Sequence, residues 1–217
     1  MKIEKAFLFI ASIFGASIIT SCQSQSGIRT QPTVVVTVQV RPPPLTAPMA
    51  QFNPNDPWPY LRQHALELQP PPPELANEDC PRGQASIVNP AFGEAIGAGP
   101  AYAVGLGLDA TLNFVKPATN NQFAGSDWGG QKVLWVVSPA YPGPILIRGH
   151  QVNGPDEIRF DAGINPPNEL HIEASLNSDW RSQPSFTRLR AAGCYEYQVD
   201  GLGFSEWITF KAIESNQ

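Results

Sequence analysis

Short apolar stretches separated by glycine, proline and asparagine recur along the chain after residue 80 and predict an all-β domain. The predicted strands lie near residues 85–88, 101–106, 112–115, 132–137, 145–148, 157–160, 169–173, 185–189, 194–200 and 206–211. Their spacing of about ten residues is typical of a β-sandwich or a barrel. Residues 133–137 are continuously apolar, which predicts a central strand that is buried on both faces.

The last two predicted strands show the clearest alternation of apolar and polar side chains. Side chains at every second position of a strand share one face of the sheet. The predicted inward set is Tyr195, Tyr197, Val199, Ile208 and Phe210. Cys194 then points away from the core, so a disulfide from this residue would link the segment around Cys80 to the outside of the sheet.

Before residue 80 the chain is predicted to be a Pro-rich, largely irregular tether over residues 22–79. The proline runs at 42–44 and 70–73 favour stiff polyproline segments. Residues 33–40 have strong β propensity and are predicted either to add to the domain as an edge strand or to stay extended.

The tether also contains one predicted short helix. Asp56 and Pro57 carry N-cap and first-turn chemistry. Leu61, Ala65 and Leu68 then fall on one helical face. A helix of this length is marginal alone, so it either docks on the domain or frays.

The first 21 residues have the pattern of an export signal. Lys2 and Lys5 precede an apolar run at 6–19, which is shorter than the roughly 20 residues that a helix needs to cross a bilayer. The run that ends at Cys22 resembles the lipobox of bacterial lipoproteins, which implies cleavage before Cys22 and acylation with fatty chains such as palmitate. The alternatives are an ordinary signal peptide with an incidental cysteine, and a cytoplasmic protein with a buried N-terminal helix.

Composition narrows the classes of partner. The formal net charge is −5 and there is no basic cluster, which argues against nucleic acid as a partner. Only 15% of the residues are charged, and 18 glycines and 23 prolines favour turns and short strands.

With Cys22 acylated, Cys80 and Cys194 are predicted to form a disulfide in an exported chain. The alternative is two free thiols too far apart to meet.

No motif in the chain predicts catalysis, a metal site or a cofactor. Ser126 and Ser205 lack the paired glycines of a serine-hydrolase elbow. His64, His150 and His171 lack a metal-ligand spacing, and we expect solvated surface histidines at these positions. The sequence does not exclude a glycosidase site with two carboxylates, because the distance between such groups in the folded protein is not visible in a sequence.

Four aromatic side chains are the candidate binding residues. Trp128, Tyr141, Trp180 and Trp207 lie in or near predicted turns, or on the outer face of a strand. Exposed aromatic rings bind sugars or proteins. The alternative is that these rings close the ends of the sandwich or pack under the tether. One exposed patch formed by Trp128 and Trp180 would favour binding.

Several motifs together resemble a group of uncharacterised secreted bacterial lipoproteins that end in an immunoglobulin-like β-sandwich. The motifs lie at residues 99–106, 131–135, 147–149, 153–155 and 192–195. The resemblance covers roughly residues 80–212 and implies this fold for them, and the predicted domain spans residues 80–213, followed by a short tail at 214–217. It implies no activity, ligand or catalytic residue.

The sequence therefore predicts a lipoprotein anchored to a membrane on its extracytoplasmic side, which is the outer membrane if the cell has two membranes. Residues 1–21 are the signal peptide, and the sandwich is a non-catalytic binding or structural module of the cell envelope. Its expected partners are the membrane, through the lipid, and an envelope glycan or protein. The alternatives are a hydrolase of envelope polysaccharide or peptidoglycan, and an accessory or assembly factor of an exported complex.

Overall fold

The computed structural model describes residues 52–66, 80–152 and 154–215, and these residues form two β-sheets and one short helix. In chain order the elements are α1 (Trp58–Leu61), β1 (Ser86–Asn89), β2 (Gly93–Ile96), β3 (Ala101–Val104), β4 (Thr111–Phe114), β5 (Gly129–Val137), β6 (Ile145–Gln151), β7 (Arg159–Phe160), β8 (Leu170–Ile172), β9 (Arg181–Leu189), β10 (Gly193–Gly201) and β11 (Phe204–Glu214). The predicted all-β sandwich is confirmed.

Seven of the eleven strands follow the order of an immunoglobulin domain. The first sheet runs β1-β2-β3-β5-β9-β7 and the second runs β4-β11-β10-β6-β8. Strands β3, β5, β9 and β7 correspond to the A, B, E and D strands of an immunoglobulin domain, and β11, β10 and β6 correspond to G, F and C. All neighbouring strands are antiparallel except β4 and β11, which are parallel.

The chain changes sheets between β3 and β4. Gly105 and Gly107 have φ values of 105° and 66°, and Ala110 has a φ of 52°. Glycine adopts positive φ without steric cost, which makes this sharp crossing possible. The crossing brings β4 beside the end of β11, where Lys211 is the register partner of Thr111.

The core lies between the two sheets and is rich in aromatic side chains. Its largest fully buried members are Trp135, Tyr195, Tyr197, Phe114, Phe160 and Phe210. The Tyr195 hydroxyl donates a hydrogen bond of 2.9 Å to the carbonyl oxygen of Ala191, as in the tyrosine corner of immunoglobulin domains. The predicted inward set of the last hairpin is confirmed in full, since all five side chains belong to this core.

All ten predicted strands are present, with shifted ends, and one strand was missed. The missed strand is β2, which has only four residues and begins at Gly93. The central position of β5, between β3 and β9, is confirmed. Its burial on both faces holds at Val136 but only partly at Leu134, which is half-buried.

The predicted disulfide between Cys80 and Cys194 is confirmed, with a Cα–Cα distance of 5.3 Å. Cys194 precedes the inward-facing Tyr195 and therefore lies on the outer face of the second sheet. From Cys80 the chain runs beside β11, where the amide of Gly83 donates to the carbonyl oxygen of Thr209. The disulfide thus fastens this arm to the last hairpin.

The short helix differs from its prediction at both ends. Pro57 occupies the N-cap position and no side chain caps the helix, so the capping role expected of Asp56 is wrong. The helix ends at Leu61, which leaves Ala65 exposed instead of on a shared apolar face. Leu68, the segment 33–40 and Cys22 lie outside the described residues.

Candidate functional site

The four predicted aromatic residues do not form one patch. Trp128 immediately precedes β5, and Trp180 immediately precedes β9. These strands pair antiparallel, with Gly129 opposite Leu189 and Val137 opposite Arg181. The two tryptophans therefore lie just beyond opposite ends of a nine-residue ladder, roughly 33 Å apart along the strands.

Trp128 is 8% exposed and is packed between charged side chains. The guanidinium carbons of Arg190 and Arg159 lie 4.2 and 5.4 Å from its ring centroid. Its carbonyl oxygen accepts a hydrogen bond of 2.6 Å from Nη2 of Arg188. The indole is therefore a packing element for arginines and not a bare platform.

Tyr141 connects the start of β6 to the turn between β10 and β11. Its hydroxyl donates to the carbonyl oxygen of Pro144 at 3.0 Å and accepts from the amide of Leu202 at 2.7 Å. Its ring meets Phe204 edge to face with centroids 5.2 Å apart. Burial raises the pKa of this hydroxyl to about 12, so it stays protonated and keeps both hydrogen bonds.

Trp180 and Trp207 are half-buried in separate surroundings. Trp180 packs beside Phe92 and Tyr102, with ring centroids 5.9 and 6.2 Å away. Trp207 lines a groove of about 420 Å³ that also contacts the disulfide-linked arm at residues 81–84 and the turn at 96–98.

The outer side of the first sheet carries the most continuous apolar surface. In the cross-strand rows, Tyr102 lies opposite Val136, and Val104 lies opposite Leu134, which lies opposite Pro184. We call this surface the apolar face. It consists of Tyr102, Val104, Leu134, Val136, Pro184 and Phe186. Val136 is buried, Pro184 is exposed and the other four are half-buried.

The apolar face is unusual because the outer side of an antiparallel sheet normally carries polar residues. Lys132 is the charged residue nearest its centre, opposite Phe186 in the ladder. Beside Lys132, a shallow groove of about 370 Å³ is bordered by Asp161, Pro184 and Phe186. Depletion of charge around aromatic and aliphatic side chains is the composition of a protein-interface core.

Residues 52–66 pack on part of the outer side of the second sheet, so the helix docks and does not fray. Tyr60 and Leu61 are buried against Leu146 of β6. Trp58 stacks on His171 with centroids 3.9 Å apart and an angle of 11°. These contacts exclude water from an apolar patch that the sandwich alone would leave open.

Ion pairs fix this docked segment at its end. Arg62 holds Glu169 through two atoms, with Nε at 2.8 Å from Oε1 and Nη2 at 2.7 Å from Oε2. The Arg62 hydrogen bond lowers the pKa of Glu169 despite partial burial, and His171 adds to this effect. The carboxylate is therefore ionised at neutral pH and keeps both partners.

A fully buried carboxylate, Asp200, lies beneath the docked segment. Its oxygens accept hydrogen bonds from His64 at 3.2 Å, Ser205 at 2.5 Å, Gln198 at 2.9 Å and Arg148 at 2.6 Å. Burial alone would raise its pKa, but these four hydrogen bonds outweigh burial and lower it. The cluster therefore holds a negative charge in the interior and ties β6, β10, β11 and the helix segment together.

This cluster brings a serine, a histidine and an aspartate together without forming a catalytic triad. Both Ser205 and His64 hydrogen-bond to Asp200, so the imidazole is not placed between the aspartate and the hydroxyl. A serine nucleophile needs a direct hydrogen bond to the histidine that removes its proton. The geometry supports an ion-pair cluster and not nucleophilic catalysis.

The expectation of solvated histidines is wrong for two of the three. His64 and His150 are buried, while His171 is half-buried under Trp58. Neither ring nitrogen of His150 has a hydrogen-bond partner in the structure, and burial lowers its pKa. Within the described ranges, no three His, Cys, Asp or Glu side chains are grouped to hold a metal ion.

Two features escaped the sequence reasoning. The apolar run at 133–137 predicts burial on both faces, although it equally fits a strand with one partly exposed apolar face. Arg188 gave no signal at all, yet it is fully buried and donates to oxygen atoms from two loops.

Across residues 52–66, 80–152 and 154–215, no helix has the length and apolar character needed to span a bilayer. No protein-family model, curated protein or solved structure matches this chain. The resemblance to secreted bacterial lipoproteins therefore stays a prediction, and the fold stands on the strand topology described above.

Proposed function

We propose that this chain is an acylated bacterial lipoprotein of the cell envelope whose β-sandwich is a non-catalytic module that binds a protein partner. The observation that carries the proposal is the apolar face. It is continuous over β3, β5 and β9, and five of its six side chains are half-buried or exposed, while residues 52–66 pack on the opposite sheet.

A protein partner fits this face better than a glycan does. Val104, Leu134 and Pro184 at its centre offer no hydrogen-bonding side chain, and sugars require such groups around a stacking ring. Interface cores between proteins are instead aromatic and aliphatic and have few charges. The groove beside Lys132 supplies a recess for a projecting side chain, which is the usual setting of an interaction hot spot.

The proposed location outside the cytoplasm is supported by two independent features. The basic start, the apolar run and the cysteine at position 22 follow the order of a lipoprotein signal. The link between Cys80 and Cys194 is of a kind that persists in oxidising compartments. The acyl chains at Cys22 would hold the module at the membrane.

Site-specific cross-linking in intact cells tests the proposal. A photoreactive amino acid replaces Lys132, which borders the apolar face opposite Phe186, or Lys211, which is exposed on β11 of the other sheet. We expect a discrete cross-linked protein from position 132 and none from position 211. Absence of a cross-link at position 132 would count against a partner on this face.

A matched pair of substitutions separates binding from general surface effects. Leu134→Glu places a charge on the apolar face, whereas Leu108→Glu places one at an unrelated side chain that is 68% exposed. We expect the cross-link from position 132 to disappear with Leu134→Glu and to persist with Leu108→Glu. Thermal unfolding of both variants checks that the sandwich is intact. Persistence of the cross-link in both variants would contradict the proposal.

A further inference from the structure

Three arginines gather around Trp128 at one end of the first sheet. Arg159 and Arg188 are register partners in the β7–β9 ladder, and Arg190 lies two residues beyond Arg188. Glu157 is the carboxylate that pairs with this group, through Arg159. Among the described residues, it is the only carboxylate that forms an ion pair with these three arginines.

Arg188 has a structural role among the three arginines, because its hydrogen bonds connect β9 to the neighbouring loops. It is fully buried and donates to the carbonyl oxygens of Gly129, Asp161, Gly163 and Trp128 and to the hydroxyl of Ser126. All five acceptors are neutral, so its positive charge is solvated by the protein but not cancelled. Arg188 therefore adds a positive potential to the surface above it.

Arg190 packs on the Trp128 ring and has no polar partner within the described part of the chain. It is exposed, and its guanidinium carbon lies 4.2 Å from the centroid of the Trp128 ring. No described residue forms a hydrogen bond or ion pair with it. Contact between a guanidinium plane and an aromatic ring leaves the in-plane N–H groups available, in a fork that matches two oxygens of one anion.

Arg159 is the second arginine with a hydrogen-bond donor that has no acceptor in the described part of the chain. Its Nη2 lies 2.6 Å from Oε2 of Glu157, but its Nε is buried and has no hydrogen-bond partner in the structure. A buried donor without an acceptor is unfavourable. Asp127, beside Trp128 in the chain, is exposed and forms no ion pair with either arginine.

We propose that Arg190 and Arg159, held on the ring of Trp128, bind an oxyanion group of a ligand: a phosphate, a sulfate or a carboxylate. The guanidinium of Arg190 donates two hydrogen bonds to the anion, and Arg159 provides a second contact with it. The buried positive charge of Arg188 adds to the electrostatic attraction. The site lies beyond Phe186 on the same sheet, and it does not depend on whether a protein binds the apolar face.

Anion titration of the full chain in detergent tests this site. The probe is the indole N–H resonance of Trp128, assigned by its loss in Trp128→Phe. Sodium phosphate, sulfate and acetate are each titrated against chloride at constant ionic strength. We expect at least one of the three to shift the resonance with a saturable curve. A response identical to that of chloride in all three arms would overturn the proposal.

Variants at Arg190 separate a built site from general charge attraction. Arg190→Gln should weaken binding about tenfold or more, because charge-assisted hydrogen bonds are lost. Arg82→Gln is the control, because it removes a cation that is paired with Asp109 elsewhere on the surface. Unchanged affinity in Arg190→Gln, or an equal loss in Arg82→Gln, would overturn the site.

The conservative variant keeps the proposal testable if Arg190→Gln unfolds. Arg190→Lys retains the positive charge but lacks the planar fork. We expect it to bind the same anion more weakly than wild type, with unchanged thermal unfolding in chloride. Affinity equal to that of wild type would overturn the paired-donor geometry at Arg190.

Discussion

The indole of Trp135 on β5 meets the phenol ring of Tyr197 on β10 edge to face, with centroids 5.0 Å apart at an angle of 79°. The strands correspond to B and F of an immunoglobulin domain, where antibody domains carry a disulfide between the sheets. Tyr197 lies two residues after the tyrosine corner at Tyr195, which is the place of the F-strand cysteine. An aromatic pair therefore joins the sheets here, and the disulfide lies outside the core instead.

Tyr197→Phe tests the polar part of this junction. The Tyr197 hydroxyl lies 2.6 Å from Oγ1 of Thr187, and both atoms are buried. Loss of the hydroxyl leaves the Thr187 hydroxyl without a partner, so we expect about 1–3 kcal/mol less free energy of unfolding. Urea denaturation measures it, and Tyr102→Phe on the half-buried apolar face is the control with an expected change near zero. Equal losses in the two variants would contradict this assignment.

Removal of the disulfide tests how much the arm contributes to stability. The bond closes a loop with a sequence separation of 114, for which the chain-entropy model gives about 4–5 kcal/mol. We expect the double variant Cys80→Ser, Cys194→Ser to lose stability of that order in equilibrium denaturation, while its near-UV circular dichroism in water remains native. A loss below about 1 kcal/mol would show that the unfolded chain gains little freedom.

Leu61→Ala tests whether residues 52–66 open separately from the sandwich. Leu61 is fully buried, and truncation of such a leucine costs about 2–5 kcal/mol. We expect hydrogen exchange at the amides of Leu61 and Arg62 to accelerate at least about 30-fold, since a tenfold change corresponds to 1.4 kcal/mol. Amides of β5 should keep their protection.

Leu66→Ala is the control for this prediction, because Leu66 is 36% exposed and lies in the same segment. It should leave exchange at Leu61 nearly unchanged. Equal acceleration at Leu61 and throughout β5 in Leu61→Ala would mean that the helix segment and the sandwich unfold as one unit.

Glu206 predicts a pH dependence of stability. It alternates with Trp207 on β11 and faces inward, between Phe204 and Ile208, and its Oε2 is buried with no hydrogen-bond partner. Burial raises the pKa of this carboxyl from 4.5 to about 7. The unfolded chain ionises first as pH rises, so the contribution of Glu206 to stability falls between those two values.

Thermal unfolding at several pH values measures this effect. We expect the melting temperature of wild type to fall from pH 5 to pH 7.5 more steeply than that of Glu206→Gln, in which the group does not titrate. Parallel curves for the two proteins would show that the folded carboxyl ionises at its ordinary pKa.

Cys22→Ser tests the proposed anchor. Without a thiol no acyl chain is attached, and the loss of two or more chains removes stable membrane binding. We expect wild type to partition into the detergent phase of a Triton X-114 extract and Cys22→Ser to remain in the aqueous phase. Mass spectrometry of the wild-type N-terminal peptide should show acyl chains on Cys22. An unmodified Cys22 with residues 1–21 still attached would contradict the lipoprotein assignment.

The strands were predictable because their signal is local. In the segments 194–200 and 206–211 the alternation of side chains specified which face is inward, and a shift of one residue would have exposed every tyrosine. Strand β2 escaped because four residues beginning with glycine show too little alternation. The existence of the helix was predicted but both of its ends differ, because Pro57 and not Asp56 is the N-cap and the helix ends at Leu61, which is buried against Leu146.

From the order of its residues alone, this protein is committed to short strands and to an inward register for the last hairpin, and the bond between Cys80 and Cys194 was predictable. The strands and their register depend on the alternation of side chains along each strand, which is a local pattern. The disulfide prediction depends on the number of cysteines, which is a property of the composition. The uncovered apolar face, the buried charge of Asp200 and the arginines around Trp128 were decided only by the tertiary structure. Each of these three features brings together segments that are distant in the chain. No local sequence pattern shows which strands become neighbours in the fold.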